Sequence, residues 1–151
     1  MKKAFIAIIS LILVAGLVLS VVRYRFNFYD SEQANEYSVV SGTDEEIAEN
    51  VMEQYFDYYK AHGLKMRLAD YRINEIALCE DEINEKYATE KDGFVFRVTF
   101  DVKPFFGILF DDWYAGNGKD APDGWCVDKT GYHMITVEDE VCYLEYIGTM
   151  C

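Results

Sequence analysis

Residues 93–103 read GFVFRVTFDVK, and their alternation decides the fold. Phe94, Phe96, Val98, Phe100 and Val102 fall on one face of an extended chain. Val95, Arg97, Thr99, Asp101 and Lys103 fall on the other. Successive strand residues point to opposite faces, so a period of two predicts a strand with one core side and one wet or paired side, as in an antiparallel sheet. Pro104 cannot donate to a ladder and ends the run.

Working outward toward the C-terminus, residues 105–110 (FFGILF) are apolar but broken by Gly107. Residues 111–124 (DDWYAGNGKDAPDG) carry the Gly, Asp and Asn of a long loop. Residues 131–138 and 141–148 alternate again and are joined by Asp139-Glu140, which predicts a hairpin. Toward the N-terminus, Leu64, Met66 and Leu68 alternate, then Tyr71, Ile73, Ile76 and Leu78 follow with a one-residue slip at Asn74-Glu75. Such a slip predicts a bulge or a break between two strand pieces. Residues 80–92 are polar and turn-like, with room for a short strand over 83–88.

One helix precedes the strands. Thr43-Asp44-Glu45-Glu46 is a capping box, with a hydroxyl for the amide three residues on and a Glu to reach back. From there to about residue 61, Ile47, Val51, Tyr55 and Tyr59 recur every four residues beside Ala48, Met52 and Phe56, giving one broad apolar stripe. Acids fill the first turn, Lys60 and His62 the last, and Gly63 offers a left-handed stop. A helix with one apolar stripe and strands with one apolar face bury both by packing together. The expectation is therefore α+β: one amphipathic helix on a curved antiparallel sheet of four to five strands.

This order resembles the cystatin-like or NTF2-like group of folds. Trp113, Gly116, Gly118, Gly124-Trp125, the strand pair after Gly131 and Gly148-Thr149 also resemble small membrane-anchored exported domains of Gram-positive bacteria, which end in a Gly-Trp strand, a hairpin and a Gly-Thr. The resemblance spans roughly residues 43–149. It implies a fold more than a function, because such folds host binding modules and enzymes alike.

Residues 4–22 (AFIAIISLILVAGLVLSVV) form an unbroken apolar run after Lys2 and Lys3. As a helix the run covers roughly 28 Å, close to a hydrocarbon core of about 30 Å. It reads as a membrane anchor; a cleaved signal is the alternative, weakened by the lack of a small-x-small cleavage site. Arg23 and Arg25 offset Lys2 and Lys3 in the positive-inside balance, so an extracytoplasmic placement rests on the short leading tail and the acidity of the residues after Arg25. The expected organisation is an anchor or signal over 1–25, a stalk over 26–42 and one domain over 43–151, with Tyr24, Phe26, Phe28 and Tyr29 near the membrane interface.

After Arg25 the chain holds ten Lys and Arg against all 27 Asp and Glu, a net charge of −17. Such a surface repels phosphate, which argues against nucleic acid, and it suits a basic protein partner or simple solubility. No cofactor motif and no catalytic set stand out.

The candidate sites are therefore modest. Trp113, Tyr114 and Trp125, with Phe105, Phe106 and Phe110, either line a pocket between helix and sheet or plug its open end, and His133 could join them. Asp111, Asp112, Asn117, Asp120 and Asp123 (with Asp128) supply oxygen ligands for calcium, although the spacing fails the EF-hand pattern. Cys79, Cys126, Cys142 and Cys151 contain no CxxC pair, and a Cys126–Cys142 disulfide could staple the loop to the hairpin. Cys126, Asp128 and His133 form the one local trio for a thiol nucleophile, and with Cys142 for zinc. The reading is a membrane-tethered extracytoplasmic binding or interaction domain without catalysis. One alternative is a small NTF2-like enzyme using His133 as acid or base, paired with Asp101 or Glu145. The other is an immunity-type or inhibitory factor at the membrane.

Overall fold

A computed structural model describes residues 2–25, 36–38, 41–62, 66–87, 93–105, 113 and 116–149. The elements run α1 (Lys2–Arg25), β1 (Glu36–Ser38), α2 (Asp44–Ala61), β2 (Leu68–Leu78), α3 (Asp81–Tyr87), β3 (Gly93–Pro104), β4 (Lys119–Ala121), β5 (Trp125–Glu138) and β6 (Val141–Gly148). The strands form one curled antiparallel sheet in the order β1-β6-β5-β3-β2, with β4 on β5. This is the α+β arrangement expected from the alternation, with six strands rather than four to five. Two short strands account for the difference. β1 arises within the stretch read as stalk, where Tyr37 is buried, and β4 within the loop.

α2 begins as its sequence dictates. The Thr43 amide donates to Glu46 Oε2 at 2.8 Å, and the Glu46 amide donates to Thr43 Oγ1 at 3.4 Å. Its stripe enters the sheet, with Ala48, Val51, Met52 and Phe56 buried against Phe96, Val98, Phe100 and Val102 of β3 and Ile135 of β5. The Phe56 ring stacks on Tyr71 at 4.9 Å and meets Phe100 at 5.0 Å. His62 caps the last turn, its amide donating to Tyr58 O and its ring stacked on Tyr58 at 4.5 Å. Gly63, expected to stop the helix, lies outside the described residues.

The slip at Asn74 is a bulge: Ile73 faces Phe100 and Glu75 faces Thr99, leaving Asn74 unmatched. A second irregularity lies across the sheet, where Phe100 faces Lys129 and Val102 faces Cys126. Asp101 holds both together. Its Oδ1 accepts from Asn74 Nδ2 at 2.9 Å and from the Asp128 amide at 3.0 Å, while Asp128 itself sits at φ 57°. Bulges bend strands and increase twist, which curls the sheet around α2.

Two expectations are corrected. Residues 83–88 were expected to offer a strand, but Asp81–Tyr87 is a helical turn pair, with Ile83 and Tyr87 at the i, i+4 spacing of one helix face. Asn84 ties it down, donating to Cys79 O at 3.0 Å and accepting from the Val95 amide at 2.7 Å. The Cys126–Cys142 bridge is absent, and both thiols are free and buried. Cys142 sits opposite Val137, eleven residues along β5 from Cys126, a strand path on the order of 30 Å. A disulfide requires Cα atoms about 5.5 Å apart.

α1 is continuous from Lys2 to Arg25, and its side chains from Ile9 to Ser20 are exposed. Among the described residues no helix is long and apolar enough to cross a membrane.

Candidate functional site

β5 has one neighbour, β3, along most of one side. On its other side β6 covers Tyr132–Glu138 and β4 covers Trp125–Val127. Between them the ladder is split, and Asn117 fills the gap with its side chain. Its Oδ1 accepts from the Thr130 amide at 3.0 Å, and its Nδ2 donates to Thr130 O at 2.6 Å. Its own carbonyl accepts from Lys129 Nζ at 2.8 Å. Gly118 allows this close approach: it lies at φ 111°, and a Cβ there would meet Lys129 Cγ at 2.7 Å.

Behind the split lies a cavity of about 290 Å³ between α2 and the sheet. Met52 and Tyr55 of α2, Met66, Phe100 and Trp113 form its apolar walls. Lys129, Gly131 and His133 of β5 form its floor, and Gly116, Asn117, Thr130, Tyr146 and Thr149 its mouth. Its volume is at the lower end of small-molecule pockets, which span about 300–1,000 Å³. Tyr146 is 59% exposed, so the mouth reaches solvent.

His133 reaches the floor because β5 changes phase. The irregularity at Asp128 lets Lys129, Gly131, His133 and Ile135 share the inner face with Cys126, all of them buried. The imidazole is stacked on Phe96 at 5.7 Å and lies 5.2 Å from Tyr146 and 6.3 Å from Tyr55. Burial lowers its pKa to about 4, so the ring is neutral at physiological pH. Its Nδ1 is buried without a hydrogen-bond partner. Burial also lowers the pKa of Lys129, a pull opposed by the Cys126 thiol beside it. Tyr55, its hydroxyl bonded to Tyr59, is held firmly protonated by burial.

Trp113 lines the cavity. It is buried, donates through Nε1 to Met66 O at 2.7 Å, and packs against Tyr59 at 5.7 Å and Phe56 at 6.1 Å while facing the cavity. Trp125 lies elsewhere. Its ring is covered by the guanidinium of Arg72 at 4.1 Å, with Lys103 Nζ at 6.0 Å, away from the cavity. Phe105 is exposed beneath Arg67, and Tyr114, Phe106, Phe110, Asp111 and Asp112 lie outside the described residues.

The remaining candidates do not converge. Asn117 spends its carboxamide on Thr130, Asp128 pairs with Lys119 at 3.0 Å, and Asp120 and Asp123 are exposed. Among the described residues no group of three or more His, Cys, Asp or Glu could hold a metal. Cys126 and His133 are seven residues apart on one strand, roughly 20 Å of path, and burial pushes the Cys126 thiol up, the opposite of nucleophile activation. Neither proposed partner reaches His133. Asp101 is engaged by Asn74 and Asp128, and Glu145 is exposed. The described lining contains no carboxylate.

Lys129 is the site residue that the sequence reading passed over. Its signal was present: alternation traced back from His133 through Gly131 reaches Lys129 on the same face. No protein-family model, curated protein or solved structure matches the chain.

Proposed function

We propose that this chain is a membrane-tethered extracytoplasmic binding domain whose ligand is a small molecule held in the cavity between α2 and the sheet. The observation that carries the reading is the cavity itself: aromatic and thioether walls around a buried neutral imidazole with one unsatisfied nitrogen. An unsatisfied buried polar atom costs about 1–3 kcal/mol, and a ligand that satisfies it recovers that cost. The tether rests on the apolar run of residues 4–22 in the sequence alone. The net charge of −17 after Arg25 supports a basic protein as an additional partner on the outer surface. Acid–base catalysis by His133 is less well supported, because the described lining offers the imidazole no carboxylate to orient it or share its proton.

Benzamide, a neutral ring with one donor and one acceptor group, is a suitable probe. It should raise the Tm of the full-length chain in lipid nanodiscs, since a ligand of the folded state alone stabilises it by mass action. In Thr149→Trp, which places a large ring at the exposed mouth, the shift should vanish. Equal shifts in both proteins, or none in the wild type, would overturn the reading.

A further inference from the structure

We infer that the cavity selects phenols, the ligand hydroxyl meeting His133 at a gap left by Gly131; this rests on the cavity being the ligand site. The imidazole is 5% exposed and lies among Phe96, Tyr55 and Tyr146, with its Nδ1 buried and unpartnered. Gly131 precedes it on the same inner face and lines the same cavity. A Cβ at Gly131 would lie 3.2 Å from His133 Nε2, 3.6 Å from its Cδ2 and 3.2 Å from Tyr146 Cε2. The glycine thus leaves open the space that one edge of the imidazole faces. A half-turn about Cβ–Cγ, a soft torsion in histidine, puts Nδ1 where Cδ2 lies. In either orientation a ring nitrogen borders the gap.

The protonation of the ring sets what that nitrogen takes. A neutral imidazole has one N–H and one bare nitrogen, and burial keeps this ring neutral at pH 7. A hydroxyl donates to the bare nitrogen or accepts from the N–H, so it satisfies whichever of the two faces it. Phenols stay protonated at pH 7, as the tyrosine hydroxyl does, and bring no charge to desolvate. The aromatic body suits the walls. Tyr55, Phe100 and Trp113 present ring faces and edges, and Met52 and Met66 add sulfur. About 290 Å³ holds one such ring. A ring lacking the hydroxyl leaves the buried nitrogen unpaired, which is how a polar site rejects an apolar analogue.

The test compares phenol with toluene, rings of one size, on the full-length chain in lipid nanodiscs. Free concentrations are corrected for partition into empty nanodiscs, and the Trp113 indole signal in ¹H–¹⁵N spectra reports occupancy. Phenol should bind roughly fivefold more tightly, because pairing the buried nitrogen outweighs burying one methyl group. His133→Phe keeps a ring and removes both nitrogens, so the order should reverse in favour of toluene. Should that chain fail to fold, Gly131→Ala, which sets a methyl in the gap, should bring the same reversal. Equal or weaker binding of phenol by the wild type would overturn the hydroxyl preference and leave the cavity as the ligand site. A preference for phenol that survives His133→Phe or Gly131→Ala would overturn the role of His133. A Trp113 signal unmoved by phenol, toluene and benzamide alike would overturn the cavity as well.

Discussion

His133 shows how a single residue acquires its properties from a phase change five residues back along its own strand. Strict alternation from Cys126 would send it to the outer face; the irregularity at Asp128, held by Asp101, returns it to the inner one. Once buried among Phe96, Tyr55 and Tyr146, it is neutral, and its folded pKa of about 4 lies below the ordinary value of 6.5. The unfolded chain therefore binds the proton more readily, and stability is present above pH 6.5 and lost as pH falls from 6.5 toward 4. The full effect is about 3 kcal/mol. Urea unfolding at pH 7 and pH 4.5 should show His133→Phe losing less stability on acidification than the wild type. Parallel losses in the two proteins would show that the imidazole is solvated.

At the scale of elements, much was legible because local chemistry and packing agree. The capping box, the four-residue stripe of α2, the period-two pattern of β3 and the slip at Asn74 all occur where the residues require them. α3 was missed because Ile83 and Tyr87 are too few to distinguish one helical turn pair from a short strand. β1 was missed because three residues carry no period, and only the long-range pairing with Val141–Tyr143 makes them a strand. The hairpin was legible, yet its turn residues are poor for the geometry. Asp139 at φ 48° and Glu140 at φ 66° both occupy the left-handed region that a type I′ turn requires. Replacing them together (Asp139→Asn, Glu140→Gly) should stabilise the domain by about 1 kcal/mol in urea melts, since it removes two left-handed costs without touching the core.

The molecule as a whole combines an acidic exterior with a cavity whose described lining has no acid. Composition announced the first; the second depends on which residues of a bulged strand turn inward, which no count reveals. The proposed topology rests on the apolar run of residues 4–22 and has its own check. Alkaline phosphatase fused after Thr149 should be active in a bacterial host and a green fluorescent protein fusion dark, as expected of an exported C-terminal domain; the reverse pattern would place the domain inside.

The two tryptophans give the most direct test of the cavity as the ligand site. Trp113 faces it, donating to Met66 O, whereas Trp125 lies under Arg72 and Lys103, outside it. In a ¹H–¹⁵N spectrum of the full-length chain titrated with benzamide, the Trp113 indole signal should move saturably while that of Trp125 stays fixed. Movement of Trp125 with Trp113 unmoved, or of neither, would contradict the account.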